Sequence, residues 1–434
     1  MTVQPSILTR RSFVAKSAVS AASITAFSAL QSKDARAAAP IKVGVIGCGG
    51  RGKGAIEDAI RAHEGVKITA LADLFPRKIK QAQERLAKFD QSVDEGHCFT
   101  GWDGYKKVIA SDVDYVILAT PPVFRPMMLN EVIDAGKHCF MEKPAAIDAP
   151  GIRGVLNAYE KAKAKKLCIA AGTQRRHNAG YIETINRIHD GTIGDIMAFY
   201  VYWCGGPIGF SEKTSDITEM EYHIRNWYHY QWLSGDHIVE QHVHNLDVAL
   251  WTMGEGSHPS KAAAIGGRSW QERGDIWDHH AVDFEFDNGV RMSSYCEQQP
   301  GDFSRVHEIV RGTKGQSNCS NWIGANGKNW NFEGDAVKDY VQEHADLIAG
   351  ITEGKYINEA KNVAYSTLTA IMGRMAGYQA REVTWDEALN SNETLGLHDQ
   401  YVDYKLGPVP ARPVQIPGGQ PYDKNIGWVA DPGA

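Results

Sequence analysis

The stretch Lys42-Val43-Gly44-Val45-Ile46-Gly47-Cys48-Gly49-Gly50-Arg51-Gly52 restricts this chain more than any other. Val43 to Ile46 reads as a short buried strand, glycines follow at 47, 49 and 52, and Lys53 to His63 can continue as a helix. Glycines so spaced between a strand and a helix form the G-x-G-x-x-G dinucleotide fingerprint. Gly47 permits the tight turn, Gly49 lets backbone approach a pyrophosphate, and Gly52 allows close helix–strand packing. Gly50 and Arg51 complete the cofactor-facing turn. The anion then rests on the first N–H groups of the helix.

The residues beyond the fingerprint extend the pattern. Val66 to Ala72 reads as a second strand ending in Asp73, 21 residues after Gly52. An acid there accepts hydrogen bonds from ribose hydroxyls and repels a 2′-phosphate, so NAD is preferred to NADP. Arg77 nearby works against that preference, and Asp73 also suits the cap of a helix from Ile79 to Lys88. Val113 to Ala119 is a further apolar run, closed by Thr120-Pro121-Pro122. A helix from Pro126 to Ala135 stops at Gly136, and the strand His138 to Met141 leads into Glu142-Lys143-Pro144. Strands and helices alternating at this spacing predict a doubly wound parallel sheet.

The N-terminus is excluded from this fold. Thr9-Arg10-Arg11-Ser12-Phe13-Val14-Ala15-Lys16 resembles a twin-arginine export signal. A mildly apolar Ala/Ser stretch runs from Ser17 to Leu30, and small residues around Ala35 to Ala39 offer a cleavage site. The expectation is a periplasmic, exported protein, soluble after cleavage. No later segment reaches about 18 unbroken apolar residues, so no membrane insertion is expected. Residues 1–39 hold five basic groups and one acid, so their removal takes the formal net charge from −6 to −10. A distributed acidic balance excludes nucleic acid as the expected partner. Seven cysteines without C-x-x-C spacing read as mostly free, buried thiols.

The order of motifs is Gly-rich turn, acid after the second strand, Ala-Thr-Pro-Pro (119–122), Ala-Gly-Lys-His (135–138), Glu-Lys-Pro (142–144) and Gly-Thr-Gln-Arg-Arg (172–176). In that order they resemble the glucose–fructose oxidoreductase/inositol dehydrogenase family over nearly the whole chain after the signal. The resemblance implies that Glu142 and Pro144 shape the cofactor cleft, with Gln174 beside it, and that Lys143 reaches the reacting hydroxyl. A lysine near a cationic nicotinamide has its ammonium form disfavoured, and it can polarise a carbonyl or relay a proton.

The predicted organisation is a signal peptide over 1–39, a Rossmann domain over 40–166, a substrate and oligomerisation domain over 167–389 and an irregular tail over 390–434. In the second domain Asn178 to His189 reads as a helix. Ile196 to Trp203, Ala281 to Phe286, Val290 to Glu297 and Val306 to Arg311 read as strands, two of them joined by the hairpin turn Asp287-Asn288-Gly289. This predicts an α/β domain on an open, mainly antiparallel sheet. By resemblance, such a sheet carries the substrate on one face and subunit contacts on the other, in a homodimer or homotetramer. Helices are expected over Asp339 to Gly350 and Glu359 to Arg381.

The chemistry centres on Ser234 to Asp247. As one helix over Ile238 to Trp251, this segment sets His237, Glu240, His244 and Asp247 on one face, where a carboxylate can orient an imidazole. The resembled family carries an acid and, four residues later, a proton-accepting histidine or tyrosine. Those positions are Glu240 and His244 here. The family usually has aspartate and a small residue where this chain has Glu240 and His242. Two other readings are a metal site from His237, Glu240, His242 and His244, disfavoured because His242 would point away, and a set of structural histidines. No metal is expected. Arg175, Trp203, Trp227, Tyr230 and His237 join His244 as candidate sugar contacts, because aromatic faces stack on pyranose C–H surfaces. Trp232, Tyr228, His229, Arg176 and His177 lie close in the chain.

The expected activity is hydride transfer between a secondary hydroxyl of a sugar or glycoside and NAD, with Lys143, Glu240 and His244 as the catalytic set. One alternative is an NAD-dependent glycosidase working by transient C3 oxidation and elimination, with a further base among Tyr181, His229 and His237. The other is a sugar-binding protein that keeps NAD as structure. Because free NAD is scarce outside the cytoplasm, the cofactor is expected to be loaded before export and held tightly.

Overall fold

The computed structural model describes residues 39–395 except 271–272, 302 and 336–337, together with the backbone of 422–423 and 427–428. The twin-arginine-like segment, the Ala/Ser stretch and the tail beyond 395 otherwise lie outside the described residues. The first layer alternates β1 (Ile41–Ile46), α1 (Gly50–Ala62), β2 (Val66–Asp73), α2 (Pro76–Leu86), β3 (Cys98–Thr100), α3 (Gly104–Ala110), β4 (Tyr115–Leu118), α4 (Arg125–Asp134), β5 (His138–Met141), α5 (Ala149–Lys165) and β6 (Ile169–Ala171). The six strands pair in parallel in the order β3-β2-β1-β4-β5-β6. The order reverses between β1 and β4, and their carboxyl ends form the crevice in which such sheets bind ligands. β6 lies beyond residue 166.

The second layer begins with α6 (Ala179–His189), β7 (Ile196–Gly205), α7 (Glu219–Arg225), α8 (Gln231–Ser234), α9 (His237–Glu240) and α10 (Val243–Met253). It continues through β8 (Lys261–Gly267), β9 (His279–Glu285), β10 (Arg291–Gln298), β11 (Arg305–Gly312), β12 (Gly315–Ser317), β13 (Trp322–Ala325) and β14 (Lys328–Asn331). α11 (Asp339–Glu353), α12 (Ala360–Gln379), β15 (Val383–Thr384) and α13 (Trp385–Asn390) complete it. Nine strands pair in the order β14-β13-β12-β11-β7-β10-β9-β8-β15, antiparallel apart from β7 with β10. The turn Asp287-Asn288-Gly289 joins β9 to β10, with Gly289 at φ 82°.

Helix α12 packs against both layers. Arg374 on it is buried and donates through Nη1 to Ile147 O and Gly235 O, each at 2.7 Å, tying the β5–α5 loop of the first domain to the turn before α9. One buried apolar cluster runs through Leu118 and Met141, Val201 and Phe284, and Leu368 and Met372. All seven cysteines are free; six are buried and Cys98 is half-buried.

One predicted element is corrected. The helix expected over Ile238 to Trp251 is broken at Gln241 and His242 into α9 and α10. His242 is buried, and its Nε2 lies 2.7 Å from Ser294 Oγ on β10. Burying an imidazole against a polar partner in the sheet outweighs the local helical preference. After the break the His244 N–H points to Gln241 O at 3.4 Å, not to Glu240 O. The Glu240 carbonyl is thereby released from the helical ladder.

Candidate active site

A cleft of about 740 Å³ lies where the carboxyl ends of β1, β2 and β4 face α9 and α10. Its floor at one end is the glycine turn. Gly47 sits at φ 94°, and a Cβ there would lie 2.7 Å from Ala119 O, so only glycine fits. Gly52 does not line the cleft; a Cβ on it would come within 1.8 Å of Gly47 O, which is the close helix–strand packing its place in the fingerprint requires. Gly49 and Gly50 line the cleft with open space where a side chain would stand. Gly49 is the N-cap of α1, with no side-chain cap and no acid in the first turn. Unfilled N–H groups facing open space fit a pyrophosphate.

Asp73 lines the same end. One of its oxygens accepts from Cys48 N at 2.7 Å and the other from Phe75 N at 2.9 Å, so it also braces the turn. Burial raises its carboxyl from the ordinary value, and the two backbone donors oppose that rise. Thr120 and Pro121 line the cleft, whereas Pro122 is buried behind them at the start of a 3-10 turn. Arg51 holds Glu142 at 2.8 Å and lies 4.8 Å over the Tyr340 ring, whose hydroxyl accepts from Gln174 at 3.1 Å. Arg51, Glu142, Gln174 and Tyr340 form one wall.

At the other end, Lys143 Nζ donates to the released Glu240 carbonyl at 2.7 Å and to Glu240 Oε1 at 2.9 Å. Glu240 Oε2 is buried without a protein hydrogen-bond partner. Burial raises the Glu240 carboxyl, opposed by Lys143 and Arg125. His244 lines the cleft and stacks on Trp203, with ring centroids 5.5 Å apart. Burial, then Lys143 and Arg175, push its imidazole well below the usual 6.5. His244 is therefore neutral at physiological pH and has a lone pair to offer.

The structure corrects several expectations. Glu240 does not orient His244: Oε1 is committed to Lys143, and Oε2 has no protein hydrogen-bond partner. His237 is off the cleft and buried, with Nδ1 2.9 Å from Tyr228 Oη. Tyr230 stacks on His223 at 3.6 Å behind the wall. Arg175 turns to Glu308, off the cleft, and lies 5.9 Å from the ring centroids of both Tyr181 and Trp203. Arg176 is taken by Asp247 at 2.8 and 2.9 Å, and His177 by Asp346 and Glu359. Each charge is buried beside an opposite one, which the sequence neighbourhood alone does not reveal. Trp203 and Trp227 do line the cleft. Sequence reasoning missed Tyr340, Arg225 and Ser211, which arrive from segments without a motif, and Gln241, which the break of the expected helix turns into the cleft. Among the described residues no group of three His, Cys, Asp or Glu side chains could hold a metal ion.

A glycine-turn Rossmann sheet that shares one cleft with a lysine, a carboxylate and a neutral histidine defines a two-domain, dinucleotide-binding protein. Residues 41–170 match the GFO_IDH_MocA oxidoreductase family, NAD-binding Rossmann fold, and residues 181–317 match the GFO/IDH/MocA C-terminal domain. The chain belongs to the GFO/IDH/MocA family. It is 25% identical over 252 residues to an inositol 2-dehydrogenase of Burkholderia cenocepacia, spanning 58% of this chain and 66% of that protein. It is 31% identical over 163 residues to a glycosyl hydrolase family 109 protein of Porphyromonas gingivalis, spanning 36% of this chain and 33% of that one. The fold is similar to the crystal structure of aldose-aldose oxidoreductase from Caulobacter crescentus complexed with glycerol. That match has 17% identity and a TM-score of 0.64 over 80% of this chain and 99% of that chain.

Proposed function

We propose that this protein is an exported oxidoreductase that moves hydride between a secondary hydroxyl of a sugar or glycoside and NAD. The observation that carries the reading is that Lys143, Glu240 and His244 meet in the same cleft as the glycine turn. Gly49, Gly50 and the first turn of α1 would hold the pyrophosphate, Asp73 the ribose and Glu142 the nicotinamide side of the cleft. NAD, when bound, supplies the hydride acceptor. The Lys143 ammonium donates to the substrate oxygen and lowers the cost of its becoming an alkoxide or carbonyl. The buried Glu240 Oε2 accepts a neighbouring substrate hydroxyl and keeps Lys143 in place. His244 takes the hydroxyl proton on its imidazole nitrogen and returns it in the reverse direction. Trp203 and Trp227 offer flat faces to the pyranose.

The relative from Porphyromonas gingivalis favours a second reading, a glycosidase that oxidises, eliminates and reduces again. The three further bases considered for it sit elsewhere. Tyr181 donates to Glu308 at 3.3 Å, His229 lies 3.1 Å from Gly209 O, and His237 pairs with Tyr228; none lines the cleft. Incubation with pyranosides and aryl glycosides, following NADH absorbance and aglycone release together, separates the two. Reduced cofactor without release is the expected result, and release without net reduction would establish the glycosidase.

A further inference from the structure

The segment between β7 and α7, residues 206–218, has no regular structure but is pinned in place. Asn226 accepts from Ser211 N at 2.7 Å and donates to Ser211 O at 3.0 Å, pairing with that backbone as a strand would. His229 Nε2 lies 3.1 Å from Gly209 O, and Phe210 packs edge-on against Tyr222 and His229 at 5.8 and 4.8 Å. A buried Asn226, two aromatic contacts of Phe210 and the His229 hydrogen bond make this a built strap. The strap brings Ser211 to the cleft wall, and α7 behind it brings Ile224 and Arg225, in the same cleft as Asp73, Arg77 and Lys78 of the first domain.

That end of the cleft is cationic. Burial lowers the Lys78 ammonium, and Arg77, Lys53 and Arg225 lower it further against the pull of Asp73. Asp73 already receives two backbone N–H groups. Among the described residues no ion pair reaches Arg77 or Lys78, while Arg225 pairs with Glu221 one helical turn away. Cations gathered around open space are stabilised by an anion with several oxygens, and phosphate is the matching chemistry.

We propose that Arg225, with Arg77 and Lys78, forms a phosphate clamp across the cleft, so that the dinucleotide is held by both domains and does not exchange between turnovers. This rests on the nicotinamide reading above. The phosphate is either the pyrophosphate common to NAD and NADP or the 2′-phosphate of NADP.

The test compares wild type with Arg225→Ala and the milder Arg225→Gln. Bound dinucleotide is measured after gel filtration by acid release, and dissociation constants of NAD and NADP by calorimetry on stripped protein. The expected result is cofactor lost from both variants and affinity weakened roughly tenfold to a hundredfold, the loss of a charge-assisted contact. Equal weakening for both dinucleotides places the clamp on the pyrophosphate, and weakening for NADP alone places it on the 2′-phosphate. Folded variants that retain wild-type occupancy and affinity would overturn the clamp. Stripped wild type that binds neither dinucleotide would instead overturn the nicotinamide reading.

Discussion

Lys143 donates to Glu240 twice, once to its carbonyl and once to its carboxylate, at 2.7 and 2.9 Å. The first contact exists because the chain leaves the helix after Glu240, and the second joins a strand end of one domain to α9 of the other. The ammonium is fixed in position by a group that is itself buried.

Lys143→Met is therefore expected to act twice. Loss of the donor lowers kcat/KM by roughly 10²–10⁴-fold. The stranded Glu240 carboxylate destabilises the fold by about 3–5 kcal/mol. Adding Glu240→Leu should recover stability in denaturant melts while activity stays lost. A double variant no more stable than the single one would contradict this account of the pair.

His244→Ala should lower kcat by about 10²–10⁴-fold while leaving the NAD dissociation constant near the wild-type value. Because the imidazole is held well below 6.5, protonation of His244 should cost no activity from neutral pH down to 6.5. A wild-type kcat/KM that falls through an apparent pKa near 6.5, with the fall absent from a His244 variant that keeps Lys143, would refute the lowered imidazole.

Glu343 is fully buried, and neither of its oxygens has a protein hydrogen-bond partner. Burial and then Glu142 raise its carboxyl well above the ordinary 4.5. The folded state thus binds a proton that the unfolded state releases above pH 4.5. This group's contribution to stability is present below that pH and is lost as pH rises toward the folded value. Glu343→Gln removes the ionisable group, so its advantage over wild type should grow with pH by about 1.4 kcal/mol per unit in that window. Urea melts at pH 5 and pH 8 check the sign; an advantage that shrinks with pH refutes it.

Gly49→Ala and Gly52→Ala separate binding from folding. A Cβ on Gly52 meets Gly47 O at 1.8 Å, so this variant should lose about 1–3 kcal/mol of stability. A Cβ on Gly49 meets nothing within 4 Å, so that variant should melt like wild type and still bind dinucleotide poorly. Equal thermal stability of the two would place the glycine requirement elsewhere.

How much was legible in the sequence follows from the range of each signal. β1, β5 and the β9–β10 hairpin were readable because a buried run or a turn tripeptide lies within a few residues. Lys143 and the segment carrying Glu240 and His244 were recognised from motif order. The break at Gln241 was not, because its cause, Ser294, is 52 residues from His242. Arg175 and His237 carry suitable chemistry, yet Glu308 and Tyr228 claim them, and no local pattern reports such claims. Tyr340 and the strap reach the cleft only through tertiary packing.

The continuous apolar cluster from Leu118 through Val201 to Met372, clasped by Arg374, bears on modularity. A Rossmann segment cut out after residue 171 would bare the face it shares with α12 and leave the Ile147 carbonyl without its donor. The dinucleotide-binding half is not an excisable cassette. Exchange of substrate halves between relatives has to carry α12 with it, and calorimetry of residues 40–434 should show one cooperative transition.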